Sequence, residues 1–369
     1  MRCCLKITPA TFTDHSVRSN LQNEVTYHSK PGTYKLVMKK INWGIIGCGD
    51  VTELKSGPAF NKVNNSRLVA VMRRDAAKAK DYAQRHNVPR WYTDAGMLIN
   101  DPEVNAIYIA TPPSTHEAYT IAALAAGKPV YVEKPITVSY GAAIHMVDVA
   151  NKNNVKLVVA HYRREQPMFK KIKQLITDKV IGDSSFVRLD YYKKALTKEA
   201  LRDTKNAWRV DPAIAGGGFF HDLAPHQLDL MHYFFGEAKS ITGLATNQAG
   251  LYTADDIVAG NIRFKNGVMF TGLWSFGIAD VAEKDLCEIT GANGKISFPV
   301  FDGRTITVTI NDTTEQFTFD ALQHVQQPMI EKVVAYFLDE AENPCSGTDG
   351  ALVMKWMGEM TGNKAVTIV

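Results

Sequence analysis

Between Ile41 and Ala160 short apolar runs alternate with helical stretches, and few folds can use such a pattern. INWGIIG, starting at Ile41, reads as a buried strand followed by a glycine turn and a helix. RLVAVM (Arg67 to Met72) is a second strand. DAAKAKDYAQRH (Asp75 to His86) is a helix whose Ala and Tyr residues fall on one stripe. NAIYIAT (Asn105 to Thr111) is a third clear strand, ended by Pro112 and Pro113. HEAYTIAALAAG is a helix closed by Gly127, and KPVYVEKP is a strand stopped by Pro135. A helix from Tyr140 to Asn153 and the strand KLVVA (Lys156 to Ala160) complete the series. Strands this rich in Val, Ile and Ala, alternating with helices, need cover on both faces. The expected class is α/β, with a doubly wound parallel sheet of the Rossmann type.

After His161 the periodicity changes. A helix near Met168 to Asp178 leads into SFVRLDYYKK, IVAGNIRF, VMFTGLWSF, CEITG, GKISFPV and TITVTI, which alternate with period two. Such segments fit an antiparallel sheet with one exposed face. A helix carrying GGGFFHDLAPHQLD (Gly216 to Asp229) interrupts them, and helices near Gln326 to Asn343 and Gly350 to Met360 end the chain. The expected organisation is an extension over 1–37, a Rossmann domain over 38–160, and an α+β domain over 161–369 with a large, mostly antiparallel open sheet. The last helix is expected to pack back on the Rossmann domain. The extension is polar, aperiodic and without the apolar segment of a signal peptide. It reads either as a disordered tail or as sequence ahead of a natural start at Met38.

With 369 residues the chain can bury a sizeable core, and 45% apolar with 22% charged residues is ordinary for a soluble protein. A net charge of +4 and no basic run interleaved with aromatics argue against nucleic acid. No apolar run approaches the roughly 18 residues a membrane helix needs. Cys3, Cys4, Cys48, Cys287 and Cys345 are scattered, odd in number and without a CxxC pair. A reducing, cytoplasmic setting is expected, rather than a disulfide framework or zinc site.

Gly47-Cys48-Gly49 lies between the first strand and a helix. Two glycines there allow a tight turn and let backbone N–H groups approach a pyrophosphate, aided by the helix field. The usual third small residue is Thr52, so the fingerprint is incomplete. The second strand ends Met72-Arg73-Arg74-Asp75. An acidic residue there binds the ribose hydroxyls of NAD, whereas arginines suit the 2′-phosphate of NADP. Arg73 and Arg74 favour NADP; Asp75 keeps NAD open.

Asp222 and His226 stand four apart after the triple glycine, so on a helix they share a face. An imidazole that titrates near neutrality suits proton removal from an alcohol. Pro225 between them is tolerated in a first helical turn, which places Asp222 near the helix start. Glu133-Lys134-Pro135 ends a parallel strand, where doubly wound sheets form their ligand crevice, and the Lys–Pro bond is a candidate for cis. A metal is the competing chemistry for His221, Asp222, His226, Asp229 and His232. Yet His221 and His226 are five apart, no HExxH occurs, and Lys134 would repel a cation, so no metal is expected. Asp229, His221 and His232 read as structural or surface residues.

GIIGCGD, AGKPVYVEKPI and the GGGxxxDxxxHxxD segment together resemble the Gfo/Idh/MocA oxidoreductase family, as does AsnAlaTrpArg at Asn206 to Arg209. The resemblance runs from about Lys39 to the C-terminal region, and Thr52 and Pro225 are its departures. It implies hydride transfer between the nicotinamide C4 and a sugar, polyol or related polyhydroxylated substrate. Lys134 would position the substrate and lower the pKa of its hydroxyl, His226 would be the acid–base group, and Asp222 would bind substrate and orient the site. The cofactor would meet Gly47, Gly49, Asp50, Val51, Arg73, Arg74, Thr111, Pro112, His116, Glu133 and Lys134. Tyr162, Arg163, Trp208 and Arg209 are further substrate candidates. A homo-oligomer, dimer or tetramer, is expected through the C-terminal sheet. Two rival readings of the same fold are a cofactor-bound regulator without turnover and a glycosidase that uses NAD transiently.

Overall fold

The computed structural model describes residues 25–30 and 33–362. Expectations for residues 1–24 and 31–32 lie outside that range. Val25–Lys30 (β1) and Thr33–Met38 (β2) pair antiparallel, from Val25 opposite Met38 to Lys30 opposite Thr33. Part of the extension is therefore paired strand where the sequence reading expects none.

Ile41–Ile46 (β3), Ser66–Met72 (β4), Arg90–Tyr92 (β5), Ala106–Ile109 (β6), Val130–Val132 (β7) and Leu157–Val159 (β8) form one parallel sheet. Its order is β5-β4-β3-β6-β7-β8. Chain direction across the sheet reverses between β3 and β6, and ligands of open α/β sheets bind outside the strand ends at such a point. Every residue of β3 is buried. Trp43 at its centre packs on Phe60 (4.7 Å) and Phe337 (5.6 Å) and donates Nε1 to Ser66 Oγ at 3.0 Å. The short edge strand β5 carries no buried run, which is why pattern alone misses it.

Ser184–Lys194 (β9), Ala238–Thr246 (β10), Ile257–Phe264 (β11), Met269–Ile278 (β12), Lys284–Gly291 (β13), Gly294–Phe298 (β14), Thr305–Ile310 (β15) and Thr313–Thr318 (β16) build the second sheet. The order is β10-β11-β12-β9-β13-β14-β15-β16, antiparallel except for the β12–β9 pair. Two of these strands, β10 and β16, escape the sequence reading. AKSITGLAT holds small residues and TTEQFT is polar, and both are sheet edges with little buried apolar surface. The helix expected to reach Asn343 ends earlier, as Gln327–Phe337.

The C-terminal helix Gly347–Gly362 lies across both sheets. Gly347 and Gly350 admit Leu157 and Val159 of β8 closely enough that a Cβ would meet them at 2.8 Å. At its other end Met360 rests on Gly243 of β10 and Gly260 of β11, where added methyl groups would collide with it. The helix Gly218–Phe235, hereafter the site helix, packs beneath. A buried charge network ties it down: Arg164 donates to Asp229 at 2.9 and 2.7 Å, and Arg164 Nη1 lies 3.6 Å from Asp349. Asp349 also accepts from His232 at 2.9 Å, and His161 Nδ1 sits 3.8 Å from Asp229. Asp229 and His232 are thus spent on packing the site helix.

Gly243→Ala should force the C-terminal helix off β10 and cost about 1–3 kcal/mol, seen as a lower urea or thermal midpoint. Gly141→Ala, whose methyl meets nothing within 4 Å, should leave the midpoint level or raise it. Equal midpoints for the two variants would contradict this packing. A second expectation concerns pH. Burial pushes the His161 imidazole down to about 4, against the pull of Asp229. The unfolded chain takes up this proton below about 6.5 while the folded chain does not until about 4. Stability should therefore fall by up to about 3 kcal/mol as pH drops across that window. Urea unfolding at pH 7 and pH 5 should show the decline, and His161→Gln should make it shallower; an equal slope in both proteins would remove His161 from the account.

Candidate active site

The turn after β3 is shaped by close approach. Gly47 has φ +94°, and a Cβ there would stand 2.6 Å from Thr111 Cγ2 and 2.9 Å from Thr111 N. Its amide and that of Cys48 donate to Met72 O at 2.9 and 3.2 Å, so the turn hangs on β4. Gly49 starts the short helix Asp50–Leu54, with Asp50 exposed and Val51 half-buried on its first turn. The cradle between Gly47, Gly49 and Thr111 lies at the switch point and suits a pyrophosphate. Thr52, the odd member of the fingerprint, is buried and donates Oγ1 to Gly49 O at 2.8 Å. The close approach usually given to a glycine at that position falls on Gly57, whose Cβ would collide with Thr52 O and Tyr82 Oη.

At the end of β4, Arg73 is half-buried and donates to Cys48 O at 3.0 Å, so its guanidinium stands beside the glycine turn. Arg74 is exposed. Asp75 caps the helix Ala76–Arg85, accepting from Lys78 N at 3.1 Å. That hydrogen bond holds its carboxyl below the usual carboxylate range.

After β6 and β7 two loops meet. His116 is fully buried and its ring nitrogens face Thr111 O at 2.7 Å and Pro135 O at 3.0 Å. It braces the crevice from behind, while Thr111 and Pro112 stay partly exposed in front. Glu133 is buried too: Oε1 accepts from Tyr108 Oη at 2.5 Å and Gln326 Nε2 at 2.6 Å, and Oε2 takes Lys134 N at 3.2 Å. Gln326 in turn accepts from Tyr131 Oη at 3.0 Å. This anchor fixes the loop that begins with Lys134, and the Lys134–Pro135 bond is cis. Gln326 has no motif around it, and no sequence signal would have found it.

Lys134 Nζ reaches across to the site helix, donating to Asp222 Oδ1 at 2.8 Å and Asp222 O at 2.7 Å. Arg209 Nε takes the other carboxylate oxygen at 3.1 Å, and its guanidinium lies 4.6 Å over the Trp208 ring. Burial raises the Asp222 pKa, but the cations of Lys134 and Arg209 outweigh it, and the net shift is downward. Asp222 is therefore a carboxylate held between two cations.

The site helix starts at Gly218, so Asp222 is in its second turn and Pro225 lies inside it, not in the first turn as the sequence suggests. Pro225 supplies no N–H to the His221 carbonyl four residues back. His226, one turn beyond Asp222, is buried, with Tyr162 edge-on at 5.1 Å and Phe301 at 5.6 Å. Burial first, then the charges of Lys134, Arg163, His161 and Lys55, push its pKa well below 6.5. The imidazole is neutral at neutral pH.

Not every candidate converges. Arg163 donates to Val300 O at 2.5 Å and lies 4.4 Å over the Phe301 ring, which directs it to the loop behind His226. His221 turns back to Gly217 O at 2.9 Å. Among the described residues no three His, Cys, Asp or Glu side chains gather as a metal-holding group, and no helix is long and apolar enough to cross a membrane.

Known proteins resemble this chain in sequence and fold. The model of the Gfo/Idh/MocA oxidoreductase family with NAD-binding Rossmann fold matches residues 41–161, and that of the Gfo/Idh/MocA C-terminal domain matches residues 169–297. Oxidoreductase P35 of Formosa agariphila is 46% identical over 323 residues, which is 88% of this chain and 99% of that protein. Inositol 2-dehydrogenase of Acidothermus cellulolyticus is 27% identical over 70% of this chain and 73% of its own. Levoglucosan dehydrogenase, solved with NADH and levoglucosan, superposes with a TM-score of 0.77 at 21% identity, over 87% of this chain and 96% of that one. This chain is an NAD(P)-binding oxidoreductase of the Gfo/Idh/MocA family.

Proposed function

We propose that the enzyme moves a hydride between the nicotinamide C4 and a carbinol carbon of a sugar, polyol or related polyhydroxylated compound. The observation that carries this reading is the contact of Lys134, at the carboxyl end of β7, with Asp222, one helical turn from a neutral His226. In the oxidising direction His226 takes the proton of the substrate hydroxyl as the C–H bond breaks. Lys134, held on Asp222, donates to the same oxygen and stabilises the charge that develops on it. Asp222 acts chiefly by orienting Lys134, and its cationic neighbour Arg209, with Trp208 beneath, keeps it ionised. A bound nicotinamide accepts the hydride in oxidation and supplies it in reduction. The substrate class is supported by relatives named inositol 2-dehydrogenase, 1,5-anhydro-D-fructose reductase and levoglucosan dehydrogenase.

NADP is the favoured cofactor. Arg73 stands at the glycine turn and Arg74 is exposed beside it, while Asp75 spends its carboxylate on capping a helix. We also place the enzyme in the cytoplasm, in keeping with the free buried Cys48, Cys287 and Cys345, and in a homo-oligomer. The outer face of the second sheet exposes Phe186, Leu244 and Met269, an apolar surface that a second copy would cover.

A panel of aldoses, polyols and dicarbonyls, followed at the reduced nicotinamide band, tests the reading. Lys134→Met and His226→Asn should each cut turnover by roughly 10²-fold or more while cofactor binding survives. Near-normal rates in both would refute the site; no net NAD(P)H change with any substrate would favour a regulator or a glycosidase. Cofactor choice is tested separately by titration. NADP(H) should bind more tightly than NAD(H), and Arg73→Ala should lose that preference; tighter NAD(H) binding in the parent enzyme would overturn it.

A further inference from the structure

Two aromatic rings pack against the His226 ring. Its Nδ1 is sealed from solvent and has no hydrogen-bond partner among the described residues, which leaves Nε2 to meet a substrate. Tyr162 lies against the ring at 5.1 Å and 69°, and Phe301 at 5.6 Å and 76°. Tyr162 belongs to the turn just after β8, so the parallel sheet places it. Phe301 belongs to the loop between β14 and β15, whose amides lie beyond the ladder between those strands.

Asp285 gathers those amides. It is the second residue of β13, and its Oδ1 accepts from Val300 N at 3.0 Å. Its Oδ2 accepts from Phe301 N at 2.6 Å and Asp302 N at 2.8 Å. Three successive N–H groups on one carboxylate make a charge-assisted anchor. From the other side Arg163 holds Val300 O and covers the Phe301 face at 4.4 Å, Tyr191 meets Phe301 at 5.0 Å, and Lys193 pairs with Asp302 at 2.5 Å.

We propose that Asp285 is a positioning residue: it fixes the loop so that Phe301, with Tyr162, clamps the His226 imidazole with Nε2 facing the crevice. The inference rests on the hydride-transfer reading for its catalytic meaning, but not for its test. Phe301 also closes one side of the base against water. Removing it exposes the ring, and with it the balance of groups around it: Lys134, Arg163, His161 and Lys55, whose charges oppose protonation, and Asp222 on the same helix.

Long-range 1H–15N NMR of the histidine rings in the whole protein reads this directly, with the His226 signal assigned by its loss in His226→Asn. In the parent protein His226 should stay neutral to well below pH 6.5. Asp285→Asn and Phe301→Leu should each raise its titration midpoint by about one pH unit, as the ring becomes solvated. Phe301→Tyr, which keeps the clamp, should titrate like the parent. An unchanged midpoint in both Asp285→Asn and Phe301→Leu, with NADP(H) still bound, overturns the proposal. A raised midpoint in a protein that oxidises no sugar or polyol would sustain the clamp and sink the hydride-transfer reading instead.

Discussion

The contact between Lys134 and Asp222 is the interaction on which the site depends. Lys134 leaves the carboxyl end of β7 and Asp222 lies on the site helix, so at the site this pair ties the parallel sheet to the second half of the chain. Both side chains are largely out of water, and an ion pair in such a place demands geometry and extra hydrogen bonds. Those are present: the Asp222 carbonyl adds a second acceptor for Nζ, and Arg209 satisfies the remaining carboxylate oxygen. Breaking either partner would strand a charge, so the pair is a hinge point of structure as well as chemistry.

Around that pair the protein keeps two titratable groups in opposite states. Asp222 stays ionised because two cations overcome its burial, whereas His226 stays neutral because burial and the same cationic surroundings both oppose its proton. A fixed cation next to a neutral base is the combination that the proposed alcohol oxidation would use. The anchors lie further back. Glu133, with Tyr108 and Gln326, sets the Lys134 loop, and Asp229, with Arg164, sets the site helix.

Much of this was legible from residue order. The continuous apolar runs of β3, β6 and β7 predict the parallel sheet, because strands covered on both faces cannot alternate. The spacing of Asp222 and His226 predicts a shared helical face. Periodicity fails where burial gives no pattern: β5 is short, β10 holds small residues and β16 is polar, all at sheet edges. It also stumbles where one residue has two possible uses. Asp75 is a helix cap and His116 a buried brace, roles that depend on the groups folded against them. Pro225 sits within the site helix because that helix begins at Gly218, a residue packed closely on Ala254.

The amino-acid order alone determined the fold class, the glycine turn, the Lys134 loop and the Asp222–His226 helix, since each rests on local periodicity or on a few adjacent residues. The tertiary structure decided the rest: that Lys134 pairs with Asp222 across 88 residues, that Gln326 locks Glu133 across 193, and that Asp285 reaches Phe301 through backbone amides. Such contacts leave no periodic trace, because they are made between side chains that only the closed sheet order and the packed helices bring within hydrogen-bond distance.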